Sequence, residues 1–217
     1  MRLPFHEELE RIEGLVRRMG QQVRLNLDEV VAALRDRDDE LARTVVERDL
    51  GIDDTHIEIE RAAELLLALQ APVAHDLRLV LAASHIARHL ERIGNQCATV
   101  AKLTILTANH AHDESLDSAL LEMGERTREM LSLALDAVHG RDPGRAELLE
   151  TLDERVDAVN REMVRRAVDL EGDRDMREYG VLMVLVARAF ERIGDNAVDI
   201  GEQAAYLVRG SGQRPGR

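Results

Sequence analysis

The chain has 217 residues, 45% of them hydrophobic and 33% charged, with 2% aromatics, no Trp and four Pro; this excludes a disordered chain and describes one large or two small helix-rich domains. A net charge of −13 argues against a nucleic-acid binder and against general attraction to anionic lipid, and suits cation binding. Cys97 is the only cysteine, so no intrachain disulfide forms and a reducing cytoplasm is the expected setting; the start MRLPFHEELE becomes charged too early for a signal peptide, and no run approaches the roughly 18 apolar residues of a membrane span.

From Phe5 to Arg35, Leu9, Ile12, Val16, Met19, Val23, Leu27, Val30 and Leu34 recur at helical spacing and predict one buried face. Asp36 to Asp39 is a polar break, and Asp38 or Asp39 caps a second helix from about Glu40 to Gln70. Pro72 marks the next turn. A third helix runs from His75 or Asp76 to Thr107, with Asp76 expected at its N-terminal cap. The polar stretch Ala108 to Ser115 is the best linker, and its His110 and His112 are expected to be exposed. A fourth helix reaches about His139 and stops at Gly140. Pro143 opens a fifth that reaches about Glu171, and a sixth spans Arg174 to Val208, followed by a frayed tail from Gly210. Short loops between long amphipathic helices imply antiparallel neighbours. The expected fold is all-α, two tandem three-helix bundles over residues 5–107 and 114–209 packed side by side.

The third and sixth helices carry an internal repeat. Ala87 to Gly94 reads ARHLERIG and Ala187 to Gly194 reads ARAFERIG, a hundred residues later. A helix-interior Gly costs roughly 1 kcal/mol against Ala, so its duplication predicts a close helix approach at both positions. The second copy continues Asp195, Asn196, Asp199, and the first continues Asn95, Gln96, Thr99.

Glu191, Asp195 and Asp199 stand at i, i+4, i+8, so their carboxylates share one helix stripe and repel one another unless solvent, Arg or a cation intervenes. Asp153 and Asp157 are i, i+4 on the preceding helix and face that stripe if the two helices pack antiparallel. Facing carboxylates are how helical bundles hold metals, and an all-oxygen set suits hard cations, iron or manganese. The candidate metal ligands are therefore Asp153, Asp157, Glu191, Asp195 and Asp199. The earlier copy keeps only Asp49, Asp53 and Glu91, a weaker set, with its register shifted by four residues that the Pro72 connection absorbs. The competing reading is a solvated acidic face balanced by Arg92 and Arg192. Cys97 reads as core, with no positioned His or Asn to make it a nucleophile. No nucleophile elbow, phosphate loop or Glu-x-x-His pair occurs, so no catalytic residue is assigned.

The two ERIG copies, with QAPVAHDLR from Gln70 to Arg78, resemble the PhoU family of phosphate-uptake regulators, over about Glu7 to Val208. The resemblance implies a pair of three-helix bundles and a regulatory, non-catalytic role. It implies a cytoplasmic accessory protein and negative regulator linking the phosphate ABC transporter, through its ATPase subunit, to a phosphate-sensing histidine kinase, and a homodimer. Some members bind iron or zinc through Glu/Asp-x-x-x-Asp, here Glu191 to Asp195, so iron, zinc or another divalent metal is the implied cofactor. The first repeat departs from that motif at Asn95. A metal-dependent enzyme or metal-storage bundle is the alternative.

Overall fold

The computed structural model describes residues 3–209; the expected frayed tail from Gly210 lies outside the described residues. Six helices follow one another: α1 (Leu3–Asp36), α2 (Asp39–Gln70), α3 (Ala74–Thr107), α4 (Glu114–Gly140), α5 (Pro143–Asp169) and α6 (Arg174–Arg209). Among the described residues there is no strand and no helix long and apolar enough to cross a membrane.

The helix ends follow from local chemistry. Asp38 caps α2 by accepting a hydrogen bond from the Leu41 backbone N–H at 3.0 Å. Asp142 does the same for α5 through Gly144 N–H at 3.0 Å, with Pro143 just inside the helix. Gly140 does not stop α4. It stays helical, and Arg141 takes the left-handed conformation, as Arg37 does after α1. Asp76 does not cap α3: Val73 stands at the cap with no side-chain bond, and Asp76 lies in the first turn. The fifth helix ends at Asp169, two residues before Glu171, because Leu170 turns extended and lays its side chain against Gly180 of α6.

Within each half the three helices alternate in direction and pack pairwise, and α3 lies along α6 while α1 lies along α4. One continuous apolar core runs through both halves, from Ile12, Met19 and Ile52 to Met130, Val156 and Phe190. The halves therefore lie side by side around a shared interior.

The α1–α4 seam is antiparallel and nearly symmetric. Arg37 pairs with Asp117 at 3.1 Å at one end, and Arg141 with Glu13 at 3.8 Å at the other. Gly20 lies against Leu135, and Gly124 against Val31. Each pair becomes the other when 104 residues are added to the first-half member and subtracted from the second. The same shift relates Arg37-Asp38 to Arg141-Asp142 and Asp49 to Asp153, whereas α3 and α6 are related by one hundred. The four-residue difference is not absorbed by the Pro72 connection. It resides in α2, which has 32 residues to the 27 of α5, offset by one residue because the α5–α6 connection (170–173) is longer by one than the α2–α3 connection (71–73).

Candidate functional site

The duplicated glycines seat one carboxylate each. A Cβ on Gly94 would stand 3.1 Å from Asp49 Oδ1 and 3.1 Å from Ile52 Cδ1; one on Gly194 would stand 3.0 Å from Asp153 Oδ1. The missing side chain lets α2 close on α3, and α5 on α6, with an aspartate at the contact. Antiparallel packing of α5 on α6 carries this down the seam, where Gly201 meets Leu149 and Gly180 meets Ala167.

The second-half carboxylates share one neighbourhood. Burial pushes Asp153 up to about 6, helped by the charges of Asp195, Asp157, Glu191 and Asp199 in that order. Glu191 is 8% exposed, and burial followed by Asp195 raises its carboxyl too, against the Arg188 charge. Asp195 is raised by burial and Asp157. Asp153 Oδ1 and Glu191 Oε2 are buried without a hydrogen-bond partner. The outer members are tied elsewhere: Asp157 to Arg161 at 3.6 Å, and Asp199 to His89 Nδ1 at 3.4 Å. Among the described residues, no three His, Cys, Asp or Glu side chains stand at a spacing that would hold a metal ion.

The first-half counterpart is thinner. Asp49 is raised by burial and by Asp53, with Lys102 opposing. Oδ1 of Asp49 and of Asp53 are buried and unpartnered. Asn95, where the second half has Asp195, donates from Nδ2 to Glu91 Oε1 at 2.5 Å. A neutral donor thus stands where the second half has a further negative charge, and it occupies one oxygen of Glu91.

Several side chains take roles that differ from those expected. Arg188, one turn before Glu191, donates to its Oε1, whereas Arg92 and Arg192 are exposed and, among the described residues, form no ion pair, although the Arg192 charge opposes the rise of Glu191 and Asp195. Arg188 sits at i−3 from Glu191, so helical spacing marks it as readily as the adjacent arginines. His110 and His112 are not exposed: their side chains are 17% and 19% accessible, and the His112 ring stands edge-on to Tyr179 with centroids 5.0 Å apart. His89 crosses between the halves to Asn196 Oδ1 at 2.9 Å, a contact for which the sequence holds no local signal. Cys97 is fully buried in the core, and burial drives its thiol far upward, which keeps it protonated and inert.

The family model described as PhoU domain matches twice, over residues 16–104 and 120–204. This chain belongs to the PhoU family. The phosphate-specific transport system accessory protein PhoU homolog of Zymomonas mobilis is 33% identical over 214 residues, 98% of this chain and 90% of that protein. The accessory protein PhoU of Escherichia coli K12 is 32% identical over 207 residues, 95% of this chain and 86% of the other. The crystal structure of PhoU from Pseudomonas aeruginosa superposes with a TM-score of 0.89 at 31% identity, covering 95% of this chain and all of that one. The phosphate transport system regulatory protein PhoU from Streptococcus pneumoniae gives 0.88 at 26% identity, covering 97% and 100%. The family match spans both halves, so the duplication read from ERIG is a duplication of the family's own domain.

Proposed function

We propose that this chain is a negative regulator of phosphate uptake and of phosphate-starvation signalling. It acts in the cytoplasm by protein contact, with the ATPase subunit of a phosphate ABC transporter and with a phosphate-sensing histidine kinase, through repeats at residues 5–107 and 114–209. The observation that carries this is the family match across both halves, whose relatives are named as accessory proteins of phosphate transport. A surface feature supports docking. Val164 and Val168 on α5 and Val181 and Leu185 on α6 are all exposed, from 47% to 79%. The antiparallel α5–α6 register, with Gly180 against Ala167, brings these four residues to the same end of the helix pair. At the equivalent first-half positions stand Glu60, Glu64, Leu81 and His85. The fold does not require four aliphatics there, and such patches mark contact sites.

The test is capture of the transporter ATPase and the kinase by the tagged chain, beside Val168→Glu/Leu185→Glu, with a phosphate-starvation reporter in cells lacking their own copy. The wild-type chain is expected to retain both partners and silence the reporter at high phosphate, and the double variant to lose at least one. Retention of neither partner by a folded wild-type chain would sink the proposal.

A second reading concerns a cation at the carboxylate cluster. By chemistry alone the donor set suits a hard divalent metal, iron included, and zinc less well, since all its atoms are oxygens and two buried ones lack partners; the side chains would have to close from their present spacing to hold it. Asp153, Asp157, Glu191, Asp195 and Asp199 would hold it, and Asp49, Asp53 and Glu91 a weaker one. The metal would neutralise the repulsion that raises these carboxyls, as in a metal-storage bundle, or would tune the docking faces of a homodimer.

A further inference from the structure

The two halves differ sharply at one pair of equivalent places. Beside the Arg37–Asp117 pair, Tyr179 is 1% exposed and its hydroxyl donates to Asp117 Oδ1. Leu120 and Met183, one turn on from Asp117 and Tyr179 in their helices, are fully buried. At the opposite end of the seam the ion pair is kept as Arg141–Glu13, but the packing residues shrink. Val16 replaces Leu120, Leu79 replaces Tyr179, Ala82 replaces Leu182 and Ala83 replaces Met183. All four smaller residues line one cavity of about 390 Å³, between α1, α3, α4 and the end of α6. That volume is within the usual range of small-molecule sites.

The cavity keeps the acceptor and lacks the ring. Glu13 lines it where Asp117 receives the Tyr179 hydroxyl in the other half. Along the same face of α1, Arg17 and Arg24 also line it, and among the described residues neither forms an ion pair with a carboxylate. The second half has Leu121 where Arg17 stands. An apolar floor with a hydroxyl acceptor at one end and guanidinium groups along one wall, with Asp136 and His139 of α4 also in the lining, suits a ring that carries a hydroxyl and an anionic group.

We propose that this cavity binds a small hydroxyaryl acid. The ring lies on Leu79, Ala82 and Ala83, the phenolic hydroxyl donates to Glu13, and the anionic group faces Arg17 and Arg24. The site shares no residue with the carboxylate cluster and is independent of the regulatory reading.

The test is titration of the full chain with 4-hydroxyphenylacetate, followed by calorimetry and by amide chemical shifts. Saturable binding is expected, with shifts centred on residues 13–24 and 79–86. Phenylacetate, which lacks the hydroxyl, should bind about fivefold more weakly, and Glu13→Gln should remove most of that difference. Leu79→Tyr supplies the ring from the chain itself and should abolish binding while raising Tm; Ala83→Met is the second filling variant, should the first fold poorly. No saturable binding up to about 10 mM, or unchanged binding in a folded filling variant, would overturn the proposal. A filling variant that gains stability while the wild-type chain ignores the probe would do so as well, since the cavity would then be a packing defect alone.

Discussion

The Asp153 carboxylate of α5 rests against Gly194 of α6, its Oδ1 3.0 Å from where a Cβ on residue 194 would stand. That oxygen is buried without a hydrogen-bond partner, and its carboxyl is pushed up to about 6 by burial and four neighbouring acids. A carboxyl raised by folding favours the folded state at low pH and loses that contribution as pH rises through its folded value. The protein should therefore lose stability at this site between roughly pH 4 and 6. Asp153→Asn should stabilise at pH 7, on the order of 1–2 kcal/mol after allowance for solvent screening. The gain should shrink toward pH 4. Thermal melts of both proteins across that range check it, and a gain that does not vary with pH would contradict it.

The proposed cation site at the cluster is open to a direct test by metal content. If iron, manganese or zinc binds, Asp195→Ala should lower the metal content found by elemental analysis, and Asp49→Ala should change it less. Asn95→Asp, which gives the first half the counterpart of Asp195, should increase first-half binding. Equal metal content in wild type and Asp195→Ala would remove the cluster from consideration.

Gly124 fits α4 against α1 so closely that a Cβ would lie 2.8 Å from Val31 Cγ2, and Phe190 closes the other side at 3.3 Å. Val31 is β-branched and rotates with difficulty. Gly124→Ala should cost about 1–3 kcal/mol through overpacking, despite the better helix propensity of Ala. Gly20→Ala meets only the flexible end of Leu135 at 3.0 Å and should cost less. Denaturant midpoints of the two variants give the comparison directly.

His89 and Asn196 join α3 to α6 by a side-chain hydrogen bond of 2.9 Å. A double-mutant cycle with His89→Ala and Asn196→Ala should give a coupling of about 0.5–1.5 kcal/mol. Zero coupling would mean that this hydrogen bond adds nothing to what holds the two halves together.

Tyr179→Phe keeps the ring in the core and removes the hydroxyl that donates to Asp117. Asp117 retains Arg37 at 3.1 Å, so the expected cost is only about 1 kcal/mol. Tyr179→Leu copies the first half and should cost more, because it also leaves an unfilled space.

Much of this architecture was legible before any coordinates. Helical periodicity marked six elements, since a 3.6-residue repeat of apolar side chains needs only local sequence to be seen. The ERIG duplication announced both the twofold organisation and the close approach at Gly94 and Gly194, because a glycine inside a helix is costly unless something must come near it. The acid spacing on α6 placed Glu191, Asp195 and Asp199 on one stripe for the same periodic reason. What the chain could not disclose was partnership between elements distant in sequence. Arg37 with Asp117, His89 with Asn196, and the cavity left by Val16, Leu79, Ala82 and Ala83 all depend on how α1 meets α4 and α3 meets α6. That meeting is set by which ridges and grooves interlock around a shared core, and no local pattern records it.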